Sequence, residues 1–192
     1  MKHDAVTDQT KLSSGILEFD KKAFDECFRA MYPRLVRFAC KITHDWNASC
    51  DITQDVFVML WQQRDTIDPD RSVRGWLYRS VRNRSFNYLR DRKNAAGQEV
   101  IDTVPDDSFP VDGDPHSDRE AALLDAKLRE WIRELPERQR EAFELSRFEG
   151  LIHDEVAAVM EVSPKTVNNH LTAALKQIRE KYAQFRMSGS GR

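Results

Sequence analysis

Residues 155–178 read EVAAVMEVSPKTVNNHLTAALKQI. The stretch predicts a helix, a tight turn and a second helix. Val156, Ala157 and Met160 form an apolar stripe on the first helix. Ser163 is a good N-cap, since its hydroxyl accepts from a free amide of the first turn. Pro164 follows at the first helical position, where a missing N–H costs nothing. Val167, Leu171, Ala174 and Ile178 then recur at spacings of four, three and four, which is one buried face of a helix. The other face carries Lys165, Thr166, Asn168, Asn169, Thr172 and Lys176. Such side chains suit donation to phosphates and contact with base edges in a major groove. A solvated amphipathic helix carries a polar face too. The cap, the turn and the basic tail that follows together favour nucleic acid.

Working back toward the N-terminus, Leu124, Leu128, Trp131 and Leu135 mark a helix that begins near Asp118. Pro136 opens the next helix, and Gly150 is its expected C′ residue. Residues 94–117 hold Pro105, Pro110, Pro115, two glycines and an acidic run. They show no sustained helical period and read as an extended linker. Ser72 is the expected cap of a helix running to about Lys93, with Trp76, Leu77, Val81, Tyr88 and Leu89 as core candidates. Residues 65–71, around Asp68-Pro69-Asp70, read as a loop. Ahead of them, a turn at 44–48 leads to a helix with Ser49 as its expected cap and Ile52, Val56, Met59 and Leu60 inward. Phe24, Phe28, Met31, Leu35, Phe38 and Ile42 alternate spacings of four and three, the mark of a long amphipathic helix. Pro33 lies inside it and predicts a kink or break near Tyr32. No useful β-alternation occurs. The chain reads as all-α, two small helical domains joined by an acidic flexible linker, the second a helix-turn-helix. The expected divisions are a flexible segment 1–19, a first bundle 20–93, the linker 94–117, a second bundle 118–185 and a tail 186–192.

The chain has 192 residues and a formal net charge of −2, so its average charge says little about partners. Its distribution says more. Residues 71–93 hold Arg71, Arg74, Arg79, Arg82, Arg84, Arg90, Arg92 and Lys93 against Asp91 alone. Residues 96–120 hold Glu99, Asp102, Asp106, Asp107, Asp112, Asp114, Asp118 and Glu120 against Arg119 alone. The basic block fits a polyanion. Cys27, Cys40 and Cys50 lack CxxC spacing and clustered histidines, which argues against a metal site or a disulfide framework. The longest apolar run, 56–61, is far short of the about 20 residues a bilayer span needs. The first residues lack an apolar signal core. A cytoplasmic protein without metal, cofactor or small-molecule substrate is expected.

Four blocks in one order carry a family resemblance: DITQDVFVMLWQQR (51–64), SVRGWLYRSVRNRSFNYLRDRK (72–93), LPERQREAFELSRFEGL (135–151) and EVAAVMEVSPKTVNNHL (155–171). Together they resemble the extracytoplasmic-function (ECF) group of bacterial RNA polymerase sigma factors. The resemblance implies a non-catalytic subunit that binds the polymerase core and directs promoter-specific initiation. It implies that Asp51, Gln54, Asp55, Phe57 and Trp61 belong to a helix that docks on the β′ clamp helices. Phe57 and Trp61 lie one turn apart and read equally well as plain core. It implies that Arg74, Trp76, Arg79, Arg82 and Asn83 read and melt the −10 element, with 65–71 as a pocket wall. Trp76, Tyr78 and Tyr88 are aromatics of that segment, and Trp76 also reads as core. The helix from Ser163 implies a −35 reader, with Asn168 and Asn169 suited to adenine and Lys165 and Lys176 to phosphates. The β flap, promoter DNA and an anti-sigma factor, in relatives usually membrane-linked, are the other implied partners. The linker would run near the nascent RNA, lie on the basic helix, or remain solvated.

Departures from the family pattern are specific. Ile152 and His153 stand where a small capping residue and an aromatic are common, so the helix-turn-helix loses an N-cap unless Asp154 substitutes. Glu161 stands at a turn position often held by glycine. A non-glycine at positive φ is uncommon, which predicts strain there. Two other functions compete with the sigma reading. A helix-turn-helix activator outside the polymerase would bind as a dimer to half-sites about one helical turn apart. A nuclease would need a metal at Asp51 and Asp55, and no third ligand or base is evident.

Overall fold

The computed structural model describes residues 21–64, 72–96 and 119–189. Within them lie seven helices and no strand, so the fold is all-α as expected. The chain divides into two compact units, Met1–Pro105 and Asp106–Arg192. The expected N-terminal segment 1–19, the loop 65–71 and most of the linker 94–117 lie outside the described residues.

The first unit packs three helices on one another: α1 (Lys21–Thr43), α2 (Trp46–Gln63) and α3 (Val73–Ala96). Leu35, Val36, Ala39, Val56, Leu60, Leu77 and Val81 are fully or almost fully buried and form its centre. Pro33 does not break α1, which runs unbroken through it. A mid-helix proline costs about 3 kcal/mol. Here its ring is exposed, while Leu35, Val36, Phe38 and Ala39 in the next turn are buried against the neighbouring helices. That packing outweighs the lost hydrogen bond.

Asp45, not Ser49, caps α2. His44 takes a left-handed φ of 54° and turns the chain. Asp45 then adopts an extended conformation, and its Oδ1 accepts from the Ala48 N–H at 3.0 Å. Ser49 is buried one turn inside the helix. Its hydroxyl lies 2.6 Å from the Asp45 carbonyl, to which it donates, and 2.8 Å from Thr43 Oγ1. Asp45 won the cap because it has a second partner: its Oδ2 accepts from Tyr88 Oη of α3 at 2.9 Å. Ser72 caps α3 as expected, accepting from Gly75 N–H at 3.2 Å. Tyr78 is a core residue, fully buried with its ring 5.2 Å from that of Phe38, and does not join a surface aromatic set.

The second unit holds α4 (Arg119–Arg133), α5 (Glu137–Arg147), α6 (His153–Met160) and α7 (Pro164–Gly189). Pro136 is the residue ahead of α5 rather than its first. Its fixed φ of −51° suits that place, since its ψ of 139° keeps it outside the helix. Gly150 takes φ 67°, two residues beyond the α5 cap at Phe148, and lets the Leu151 N–H return to Leu145 O at 3.0 Å. Trp131, Ile132, Leu135, Ala142, Phe143, Leu145, Val156, Val159, Val167 and Ala174 are buried in this unit. Late in α7, Phe185 meets Trp131 edge-on at 5.9 Å, which ties the long last helix to α4.

The Asp45 carboxyl sits below its ordinary value of 3.8, held first by the Ala48 amide and then by the Tyr88 hydroxyl. A carboxyl depressed in the folded state contributes its stability above the unfolded value and loses it as pH falls through the lower folded one. Asp45→Ala should therefore destabilise the first unit by about 1–2 kcal/mol at neutral pH. The readout is lost amide-exchange protection in α2 and α3, with α5–α7 unchanged. In Asp45→Asn the loss of stability below about pH 4 should become shallower.

Candidate nucleic-acid and polymerase interfaces

The turn between α6 and α7 sets up the first candidate surface. Glu161 caps α6 in a left-handed conformation, φ 57° and ψ 44°, as its place at a glycine-favouring position predicts. Its N–H and that of Val162 both reach the Ala157 carbonyl. Ser163 then caps α7, accepting from the Thr166 N–H at 3.1 Å and meeting Thr166 Oγ1 at 2.8 Å. Val167, Leu171 and Ala174 face inward. Lys165, Asn168, Asn169, Thr172 and Lys176 are exposed at i, i+3, i+4, i+7 and i+11, one continuous polar face. Thr166 is half-buried and occupied by the cap. Lys176 lies 4.0 Å from Glu180, an exposed pair too weak to hold it from a phosphate. The positive end of the α7 dipole adds to the attraction for an anion.

The start of α6 shows how the missing cap is managed. Neither Ile152 nor Asp154 caps it: Ile152 occupies the cap position and its side chain has nothing to accept with. The Glu155 carboxylate instead accepts from the Ile152 N–H at 2.9 Å, half of a capping box. His153 is exposed. Among the described residues no group of three or more His, Cys, Asp or Glu could hold a metal ion. Burial pushes the Cys27 thiol up to about 11, which leaves it unreactive.

On α3 the five expected residues do not share one surface. Arg79 is exposed, and Arg74, Trp76 and Asn83 are half-buried. Arg82 is only 7% exposed, and its guanidinium lies 4.8 Å from the Phe86 ring centroid. Expected to contact DNA, it lies almost wholly inside the unit and supports a ring. Tyr88, the third aromatic of the segment, is half-buried and tied to Asp45.

On α2, Asp51, Gln54 and Asp55 are exposed on one side. Gln54 Nε2 donates to Tyr32 Oη at 3.2 Å, and Asp55 pairs with Arg84 at 3.4 Å across the seam to α3. Phe57 resolves as core. It is 2% exposed, with ring centroids 4.8 Å from Phe28 and 6.1 Å from Phe24. Trp61 is half-buried, 5.0 Å from Phe24, with the Arg64 guanidinium 4.6 Å from its ring. Phe24, Phe28, Phe57, Val58 and Trp61 line an open apolar groove of about 580 Å³ beside the carboxylates. Val58, 54% exposed, was missed in the sequence. Its signal was an apolar residue at i+7 from Asp51 on the polar face. Phe86 was missed in the same way.

A basic three-helix unit and a helix-turn-helix unit in one chain define a promoter-binding protein. The Sigma-70 region 2 family matches residues 27–95, and the Sigma-70, region 4 family matches residues 125–178. Over 176 residues the chain is 30% identical to the ECF RNA polymerase sigma factor RpoE of Cereibacter sphaeroides, covering 91% of this chain and 94% of that one. It is 28% identical to the RNA polymerase sigma-H factor of Pseudomonas aeruginosa over 165 residues, 83% of this chain and 86% of that one. The fold is similar to CnrH, solved in complex with the cytosolic domain of CnrY, with a TM-score of 0.58 and 22% identity over 92% of this chain and 98% of that one. It is also similar to RpoE of Bartonella quintana, solved with the anti-sigma factor NepR, with a TM-score of 0.59 and 20% identity over 83% and 96% of the two chains. The chain belongs to the ECF group of RNA polymerase sigma factors. Its function is promoter-directed initiation of transcription with RNA polymerase core and promoter DNA as partners.

Among the described residues no helix is long and apolar enough to cross a membrane. Relief of the left-handed residue gives a direct test of the helix-turn-helix geometry. Glu161→Gly should stabilise the second unit by up to about 1 kcal/mol, since glycine bears no Cβ penalty at φ 57°. Urea unfolding followed at Trp131 would read the gain, and a loss would show that Glu161 contacts outweigh the strain.

Proposed function

We propose a division of labour among three helices. The α7 face from Lys165 to Lys176 reads the −35 element, α3 opens the −10 element, and α2 docks on the β′ clamp helices of the polymerase. The β flap takes the second unit. The chain performs no catalysis of its own, works in the cytoplasm, and is held in check by an anti-sigma factor; the fold relative RpoE of Bartonella quintana was solved with such a partner. The observation that carries this reading is the uninterrupted polar face of α7 over an inner face of buried Val167, Leu171 and Ala174.

The physical case for each surface differs. Asn168 and Asn169 suit bidentate pairing with adenine, each good pair discriminating by about 1–3 kcal/mol. Lys165 and Lys176 add phosphate contacts that set register without reading sequence. Asp51 and Asp55 are acceptors for arginines of a partner, and charge-assisted hydrogen bonds are about twice as strong as neutral ones. The apolar groove beside them supplies the area that carboxylates alone lack. On this reading Phe57 shapes the groove floor and Trp61 its wall.

The test is run-off transcription by polymerase core and the full chain, on a promoter that the holoenzyme selects from a randomised library. Asp55→Arg should weaken core binding at least tenfold while leaving the helical content intact. Asn169→Ala should leave core binding unchanged and relax selection at one −35 position, by roughly five- to hundredfold. Initiation that survives both changes unaltered would sink the assignment.

A further inference from the structure

Arg34, Arg37, Lys41 and His44 recur along α1 and just past its end at spacings of three, four and three. They therefore share one side of the helix. Arg37, Lys41 and His44 are exposed, and Arg34 is half-buried. Leu35 and Ala39, on the opposite side, are wholly buried. Residues 27–44 also hold Arg29 and contain neither aspartate nor glutamate. Toward the N-terminus the first carboxylate on this side of α1 is Glu26, about 12 Å from Arg34 along the axis. At the other end Asp45 is already held by the Ala48 amide and the Tyr88 hydroxyl. Like charges one turn apart repel, so a ridge of one sign is a cost to the free helix. An anion laid along it removes that cost.

The side chains say which anion. From Arg34 to His44 the ridge runs about 15 Å, the axial rise of about four phosphates on one DNA strand. All four rings of α1 turn away from it: Phe24, Phe28 and Tyr32 meet α2, and Phe38 meets Tyr78 of α3. The helix carries no amide side chain either. A surface without a ring to stack an unpaired base, and without an amide to pair with adenine, is fitted to backbone. A protein partner would want an apolar centre between the charges. The exposed apolar residues on this side are only Ala30 and Pro33.

We propose that this side of α1 is a further promoter-binding surface, a ridge that grips the phosphate backbone of duplex DNA flanking the −10 element. Arg37 and Lys41 hold phosphates, with Arg34 and His44 at the ends of the row. The contact is indifferent to sequence and acts before and after opening alike, since phosphates are present in both states. It goes beyond the assignment of α3 and does not require it.

The experiment uses holoenzyme assembled from polymerase core and full-length chains: wild type, the double variant Arg37→Ala with Lys41→Ala, the charge-keeping swap Arg37→Lys with Lys41→Arg, and Arg79→Glu. Both ridge positions are exposed, and alanine favours a helix, so the double variant keeps its fold. The probes are the library-selected promoter, held closed at low temperature, and the same promoter with a pre-opened bubble, each titrated over a series of salt concentrations. In the double variant the slope of log affinity against log salt should become shallower by about 2, roughly 0.9 for each lost phosphate contact. The change should be equal on the two probes, core affinity should stay within about twofold, and the swap should restore the slope. A hydroxyl-radical footprint should lose protection beside the −10 element and keep it within. An unchanged slope overturns the inference. So does a parallel loss of core affinity, which would make the ridge a polymerase contact, and so does a change confined to the bubble, which would make it a single-strand contact. If Arg79→Glu binds and opens the promoter normally while the double variant shows its shallower slope, the assignment of α3 fails and the ridge stands. A defective Arg79→Glu beside an unaltered double variant sinks the ridge alone.

Discussion

A single carboxylate fixes the geometry of the first unit. Asp45 caps α2 through the Ala48 amide and accepts the Tyr88 hydroxyl of α3, while the turn at His44 joins it to α1. Three helices thus meet at one group. The acidic face of α2 and the cationic face of α3 inherit their mutual orientation from that node. The buried Thr43–Ser49 hydroxyl pair beside it satisfies groups that would otherwise be costly at a helix corner. At the far end of α2, the cluster of Phe24, Phe28, Tyr32 and Phe57 does the same work by apolar contact. Polar specification at one end and aromatic packing at the other leave little freedom for the helix between.

Each functional helix solves the same problem: it must bury one side and offer the other. On α7 the division is clean, because Val167, Leu171 and Ala174 sit inside and amides, lysines and Thr172 outside. On α3 it is less clean. The helix carries so much basic charge that some of it must lie near the core, and Arg82 is where that happens. A buried guanidinium needs partners for its charge, and the Phe86 ring is one. The basic block is therefore not a uniform electrostatic surface. Part of it is solvated, part spans the seam to α2 as Arg84 on Asp55, and part stiffens the aromatic.

The helix-turn-helix was legible in the sequence because its signals are local. The Ser163 cap, Pro164, the inner stripe and the strained Glu161 all depend on neighbours within a few positions. The errors fall where distant residues decide. Asp45 and Ser49 are both capable caps, and Tyr88, 43 residues away, settles the choice. Pro33 reads as a breaker until the packing around it is known. Tyr78 and Arg82 look like surface groups in a basic stretch, and only the three-helix packing shows that both are inside. Val58 and Phe86 were overlooked for the opposite reason. The spacing that marks the core skips them, because both fall on the polar face of their helices.

Separate readers on one chain also explain why each can be modest. A single asparagine pair discriminates by about 1–3 kcal/mol, too little to select a promoter from a genome of competing sites. When two readers are linked, the second engages at an effective concentration set by the connection between them. Residues 97–118 can extend to at most roughly 75 Å, so simultaneous engagement is limited to elements within that span plus the units themselves. Neither surface then needs high affinity alone, and a polymerase that holds both units supplies the remaining order.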